Sequence, residues 1–226
     1  DALRSGALCA ARHRLIAHAL PHIAHRPIRN RGTVGGSLAH ADPAAEWGAL
    51  VLATDAELHV RSHRGPRIVQ ASDFFDGPLS TCLDDDELLC AIVLPRPSGH
   101  VLEHFVEQSR RHGDFALAGA AVRLVHDDAG LIQRARIALI GVDAVPRRAI
   151  GAEATLTGEF VHELDENAFE RAGQLAAEEI EPSDDLHASA DFRRRIAAVM
   201  VRRALAGALG SSDAPDSAAV LSSIHP

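Results

Sequence analysis

"IRNRGTVGGSLAHADPAAEW", residues 28–47, decides how the rest of the chain is read. It opens on basic residues, thins to Gly32, Gly35 and Gly36 within a run of small side chains, and closes on Glu46 and Trp47. Side chains are sparse where something must approach the backbone. Glycine reaches positive φ without steric cost and lets a bulky anion come close to consecutive N–H groups. The segment from Gly32 to Ser37 offers such groups, with the Thr33 and Ser37 hydroxyls on either side and Val34 as the one bulky side chain. A tight turn is the plain reading of a lone Gly-Gly pair. A cradle for phosphate or pyrophosphate is the more specific one. The P-loop pattern GxxxxGK[ST] and a strand-following GxGxxG are both missing.

Upstream, "ALCAARHRLIAHAL" (7–20) spaces Leu8, Ala11, Leu15 and Ala19 as one helical face, and Pro21 stops it. Downstream, "AEWGALVLAT" (45–54) reads as a short buried helix. "AELHVRS" (56–62) alternates as a half-buried strand, "HRGPR" (63–67) turns, and "IVQ" (68–70) starts the return. "ASDFFDGP" reads as a helical turn, and "ELLCAIVLPRP" (87–97) as a strand stopped by Pro95 and Pro97. A composition shift at "RPSGH" (96–100) predicts a boundary. Three strands are expected beyond it, at 104–109, 115–127 and 131–143, the last two joined by a "DDAG" turn. Two helices follow. Residues 166–180 would bury Phe169, Ala172, Leu175, Ala176 and Ile180; residues 190–209 would bury Phe192, Ile196, Val199 and Leu205, with arginines opposite. The tail 210–226 is polar, small and expected to be disordered. The pattern predicts an α+β fold of mostly antiparallel strands, because the regular alternation of a doubly wound sheet is missing.

Composition narrows the function classes. With 46% hydrophobic and 24% charged residues, the balance is that of a soluble globular protein. A formal charge of −8 argues against nucleic acid or an anionic membrane as the main partner. No apolar run approaches the roughly 18–20 residues of a membrane span, and no leader pattern opens the chain. A cytoplasmic protein is expected. Cys9, Cys82 and Cys90 form no ligand spacing, so neither a disulfide framework nor a Cys-ligated cluster is expected. His18, His22 and His25 are interrupted by Pro21 and no HExxH appears, so no metal site is expected. The chain opens on Asp1 rather than Met, as a processed product or a fragment would.

"RNRGTVGGSLAHADPAAEW" resembles, nearly residue for residue, the signature of the FAD-binding medium subunit of molybdenum hydroxylases, the family of carbon monoxide dehydrogenase and bacterial xanthine dehydrogenase. "EQSRRHGDFALAGAAVRL" (107–124) resembles that family's other hallmark, "ELLCAIVLPRP" matches the strand between them, and the resemblance runs in order from about residue 5 to residue 208. It implies the second part of a flavin domain of vanillyl-alcohol-oxidase (PCMH) type over 1–99. A C-terminal domain of CO dehydrogenase flavoprotein type, with a three-stranded antiparallel sheet and helices, would follow over 100–209. It also implies a first flavin segment, with a second glycine-rich loop, upstream of Asp1.

Carried over by position, the resemblance makes Thr33, Val34, Gly35, Gly36 and Ser37 the loop along the FAD pyrophosphate and ribityl chain. Glu46 would be an acidic FAD contact and Leu89 a backbone contact. Asp114 and Phe115 would approach the isoalloxazine, Phe115 as an apolar lid, with Ile23 near the other ring face. By pattern alone, Phe115 is equally the first core residue of a strand and Glu46 a solvated acid in a first helical turn. Val106 stands where some relatives have a cofactor-contacting lysine. His40, beside the glycines, is either a hydrogen-bond donor to the site or a plain surface histidine.

The function implied is an electron-transfer subunit, an oxidoreductase component. FAD would collect electrons from two 2Fe–2S clusters on a small subunit, after a large molybdenum-cofactor subunit hydroxylates substrate, and pass them to NAD or another acceptor, in a dimer of heterotrimers. The alternative is a non-catalytic assembly subunit that has lost FAD. A stand-alone flavin oxidase is a third reading, and it would need a substrate domain that the chain has no room for.

Overall fold

A computed structural model of the protein describes residues 13–96 and 98–210. Leu15, Ile16 and Ala19 share the buried face of α1 (Arg14–Ala19). Leu8, Ala11 and Cys9 lie outside the described residues, as does the tail 211–226. Two short helices follow, α2 (Arg26–Arg29) and α3 (Val34–His40). Every residue of α4 (Glu46–Ala53) is buried, as its unbroken apolar run predicts. Leu58 and Val60 alternate inward on β1 (Glu57–Ser62), which pairs with β2 (Gly65–Gln70) through a turn that sets Gly65 at φ +117°. β5 (Leu88–Val93) joins the other side of β1, giving the antiparallel order β2-β1-β5. The "ASD" helical turn is a 3-10 turn at Ala71–Asp73, after which β3 (Phe75–Gly77) and β4 (Ser80–Thr81) form a small ribbon.

Three long antiparallel strands build the second sheet: β6 (His100–Ser109), β7 (Ala116–His126) and β8 (Ile132–Ile140). The "DDAG" turn closes β7 onto β8. Asp127 Oδ1 accepts the N–H groups of Ala129 and Leu131, and Gly130 supplies φ +85°. A two-residue strand, β9 (Arg147–Arg148), extends the edge to the order β6-β7-β8-β9. α5 (Ile150–Leu156), α6 (Glu166–Glu178) and α7 (Ala190–Gly210) follow.

Both faces of this sheet are buried. Leu102, Ala120, Val122 and Leu124 meet the Ala-rich faces of α5–α7, while Phe105, Ala121, Ala138 and Ile140 meet the core around α1 and α4. Strands buried on both sides read as continuous apolar runs, and "ALAGAAVRLV" is one. The same alternation sorts β6: Leu102 and Val106 face the C-terminal core, while Glu103, Phe105 and Glu107 face the side of α1 and α4.

The buried face of α7 keeps the expected Leu205, with Ile196 and Val199 partly buried beside it, and departs from expectation elsewhere. Phe192 is exposed, and the inward positions are Arg193, Ala197, Met200, Val201, Ala204, Leu205 and Ala208. Alanines carry little hydropathy signal, so the larger side chains mislead. Arg193, expected in a solvated arginine run, is buried because both its Nη atoms are engaged: Nη1 donates to Leu117 O and Gly141 O, and Nη2 to Asp185. None of the described helices is long and apolar enough to cross a membrane.

Candidate functional site

The glycine stretch is a helix start rather than a loop. Thr33 is the N-cap of α3, and its Oγ1 accepts the Gly36 N–H at 2.9 Å, while Ser37 N–H donates to Thr33 O. Glycine disfavours helix by about 1 kcal/mol relative to alanine, but the cap and the required closeness of the backbone outweigh it. A Cβ at Gly36 would stand 2.8 Å from Thr33 Oγ1. First-turn geometry leaves the Val34 and Gly35 N–H groups without partners inside the helix. Ala41 ends α3 in the left-handed region at φ 53°. The loop that follows is pinned by Asp42 Oδ1, which accepts the Ala44 N–H, and α4 begins at Glu46.

Two cavities flank this turn. One, of about 240 Å³, is lined by the apolar Ile23, Ala24, Ile28, Trp47 and Phe115 together with Thr33, Ser37, Glu46 and Asp114. The other, of about 460 Å³, is lined by Val34, Gly35, Leu89 and the apolar flank of α4. Thr33 and Trp47 line both, so the cavities adjoin at those residues. Nine of the ten residues named from the resemblance therefore line one or other of two adjoining cavities. Gly36 lines neither cavity; its N–H is spent on the cap. His40 is exposed and also lines neither. Val106 packs against the C-terminal core, so the neighbouring residue on the opposite face of β6, toward His22, is Glu107.

Sequence reasoning missed three contributors. Trp47, the single tryptophan, was read only as helix core. Arg29 donates from Nη1 to Ile23 O and Ala24 O, fixing the cavity wall where Ala24 sits at φ 46°. Gly113 turns at φ +83°, and a Cβ there would stand 2.5 Å from His25 Cε1. All three lie inside the quoted hallmarks, Arg29 and Trp47 at the two ends of the first and Gly113 within the second.

The electrostatics are unusual for so small a space. Burial pushes the Glu46 carboxyl up to about 7, reinforced by the like charges of Glu107 and Asp42 and opposed by its own backbone N–H and by His22. His22 Nδ1 lies 3.4 Å from Glu107 Oε1, and hydrogen bonding to that carboxylate raises the imidazole above its ordinary value. Beyond it, the His18 and His104 rings meet at 4.2 Å. Burial lowers both, His18 to about 4 with help from His104 and Arg14.

Apolar walls with hydroxyls and carboxyls at one rim suit a flat heteroaromatic ring with a polar edge. Set between the core around α1 and α4 and a two-faced antiparallel sheet, such a site has room for a flat, largely apolar cofactor. The sequence pattern described as "FAD binding domain in molybdopterin dehydrogenase" matches residues 2–97, and that of the "CO dehydrogenase flavoprotein C-terminal domain" matches residues 103–208. The nicotine 6-hydroxylase medium subunit of Paenarthrobacter nicotinovorans is 39% identical over 192 residues, covering 84% of this chain and 65% of its own length. The carbon monoxide dehydrogenase medium chain of Hydrogenophaga pseudoflava is 33% identical, covering 90% and 69%. Solved structures agree. Carbon monoxide dehydrogenase from H. pseudoflava superposes with a TM-score of 0.85 at 35% identity, over 91% of this chain and 70% of that one. Quinoline 2-oxidoreductase from Pseudomonas putida 86 superposes at 0.83 and 36%, over 92% and 71%. The chain belongs to the family of FAD-binding medium subunits of molybdenum hydroxylases. It spans about two-thirds of the length of the relatives it matches.

Proposed function

We propose that this chain holds FAD in the joined cavities and works as the electron-transfer subunit of a molybdenum hydroxylase. The observation that carries the reading is the meeting of the two cavities at Thr33 and Trp47, with nine family-matched residues around them. In this reading the smaller cavity takes the isoalloxazine, between Ile23 on one face and Phe115 on the other, and the larger takes the ribityl and pyrophosphate portion along Thr33, Val34 and Gly35. FAD supplies the exchange between single electrons and electron pairs. The chain's residues bind, orient and exclude water: Thr33 and Ser37 offer hydroxyls, Leu89 a backbone edge, and Glu46 and Asp114 carboxyls at the rim.

The partners proposed are a large subunit with the molybdenum cofactor and a small subunit with 2Fe–2S clusters, assembled as a dimer of heterotrimers, with NAD or another oxidant as acceptor. Relatives named as medium chains of dehydrogenases and hydroxylases support this division of labour. The test uses the single tryptophan. Trp47 lines both cavities, so titration with FAD should quench its emission, and Phe115→Ala should weaken binding. FAD that binds without touching Trp47 emission refutes the placement. Absence of binding in the full-length protein, co-expressed with its partners, points instead to an assembly subunit that has lost FAD.

A further inference from the structure

The smaller cavity takes two of its walls from distant parts of the chain. Ile23, Ala24 and Ile28 belong to the segment that runs into α2, and Gly113, Asp114 and Phe115 to the β6–β7 turn. Each wall is braced within itself. Arg29 Nη1 holds the Ile23 and Ala24 carbonyls. In the turn, Asp114 N–H donates to Arg111 O, which also accepts the Ser109 hydroxyl. Among the described residues, no hydrogen bond or ion pair joins segment 21–29 to segment 110–115. The His25 ring crosses that gap. A Cβ on Gly113 would stand 2.5, 2.7 and 2.8 Å from His25 Cε1, Nδ1 and Nε2, so the imidazole lies face-on over the glycine, where no side chain fits. The His112 ring meets it edge-on, with centroids 6.2 Å apart. His25 is the N-cap of α2 and makes no side-chain cap bond there, although the position favours a capping oxygen. It is exposed and belongs to neither core. Neither capping nor core packing accounts for the ring, whereas its seat on the turn does.

We propose that His25 is a positioning residue that sets the width of the smaller cavity, its ring seated in the Gly113 notch and clasping the Ile23 wall to the Phe115 wall. The clasp is a property of this chain; its use rests on the flavin reading. In that reading Ile23 and Phe115 cover opposite faces of the isoalloxazine, and each stands two residues from the clasp, Ile23 before His25 and Phe115 after Gly113. The Phe115 ring is largely exposed, so it has little packing of its own to hold it over the cavity. The clasp fixes the separation of the two walls before the cofactor arrives, so that binding does not have to order them.

The test uses the full chain, first without FAD and then with it. Without FAD, the buried Trp47 reports on the cavity it lines. Acrylamide should quench its emission about twofold more strongly in His25→Ala than in wild type, and no more strongly in His25→Phe, whose ring again offers a flat face. Gly113→Asn should behave like His25→Ala, because asparagine tolerates positive φ and its side chain displaces the ring. Equal quenching in wild type and His25→Ala overturns the clasp. With FAD, His25→Ala and Gly113→Asn should each weaken binding about tenfold, and the double variant also about tenfold rather than about a hundredfold, since both remove one contact. Losses that multiply in the double variant overturn the coupling. If Gly113→Asn fails to fold, the comparison of His25→Phe with His25→Ala carries the test: tight binding should return with the phenyl ring, and a His25→Phe variant as weak as His25→Ala overturns the proposal. Wild type that binds no FAD refutes the flavin reading and leaves the clasp to be decided by the acrylamide measurement.

Discussion

Replacing Glu46 by glutamine should stabilise the FAD-free protein, and only above mildly acidic pH. The folded chain holds this carboxyl at about 7 against an ordinary value of 4.5. Between those values the folded state keeps a proton that the unfolded state has released, so stability falls as pH climbs through the window. Below it both states are protonated and the term vanishes; above it both are ionised and the full cost persists. Each pH unit of displacement carries about 1.4 kcal/mol, so the cost at about pH 8 comes to about 3 kcal/mol. Glutamine keeps the shape without the charge. Urea unfolding of wild type and Glu46→Gln should agree at about pH 4 and differ by that amount at about pH 8. In a chain of this size the difference corresponds to a rise in Tm of roughly 6–12 °C. Equal stabilities at both pH values, or a less stable variant at the higher one, would refute the reasoning, since the carboxylate would then be ionised and solvated in the folded chain.

His18 carries the opposite sign. Its value is held down to about 4, so the unfolded state gains a proton first as pH falls from 6.5, and stability drops across that window. His18→Asn should flatten the acid limb of a thermal-melting profile against pH. Arg193→Met should cost about 3 kcal/mol in urea unfolding, because it strands the Leu117 and Gly141 carbonyls in the core. Phe115→Ala should leave stability within about 0.5 kcal/mol, since the ring is 61% exposed, yet it should weaken FAD binding measured by Trp47 quenching.

Patterns that depend on one element were readable in advance. The apolar run of α4, the alternation of Leu58 and Val60, and the Asp127–Gly130 turn each declare themselves locally. What escaped depends on partners distant in sequence. α5 has seven residues, under two turns and too few for an apolar repeat to declare itself, and it is held by Glu153, whose Oε1 accepts the Ile137 N–H across the fold. Arg193 looked like one of three surface arginines because the carbonyls that engage it lie 52 and 76 residues away. In the site, the motif marked where backbone must come close, but not that the Thr33 oxygen would cap a helix and leave only its hydroxyl proton to donate. It also gave no sign of Glu107, whose orientation is set by the register of β6 against Gly119.

The sheet of β6, β7 and β8 is a party wall, with a tenant on each side. Cutting the chain between β5 and β6 would strip the flavin-side core of Phe105, Ala121, Ala138 and Ile140 and leave α1 and α4 facing water. The two matched segments therefore depend on one shared sheet for their cores. Arg193 ties α7 to the Leu117 carbonyl, two residues past Phe115, so a change in the Ala-rich grip of α7 bears directly on the wall of the site.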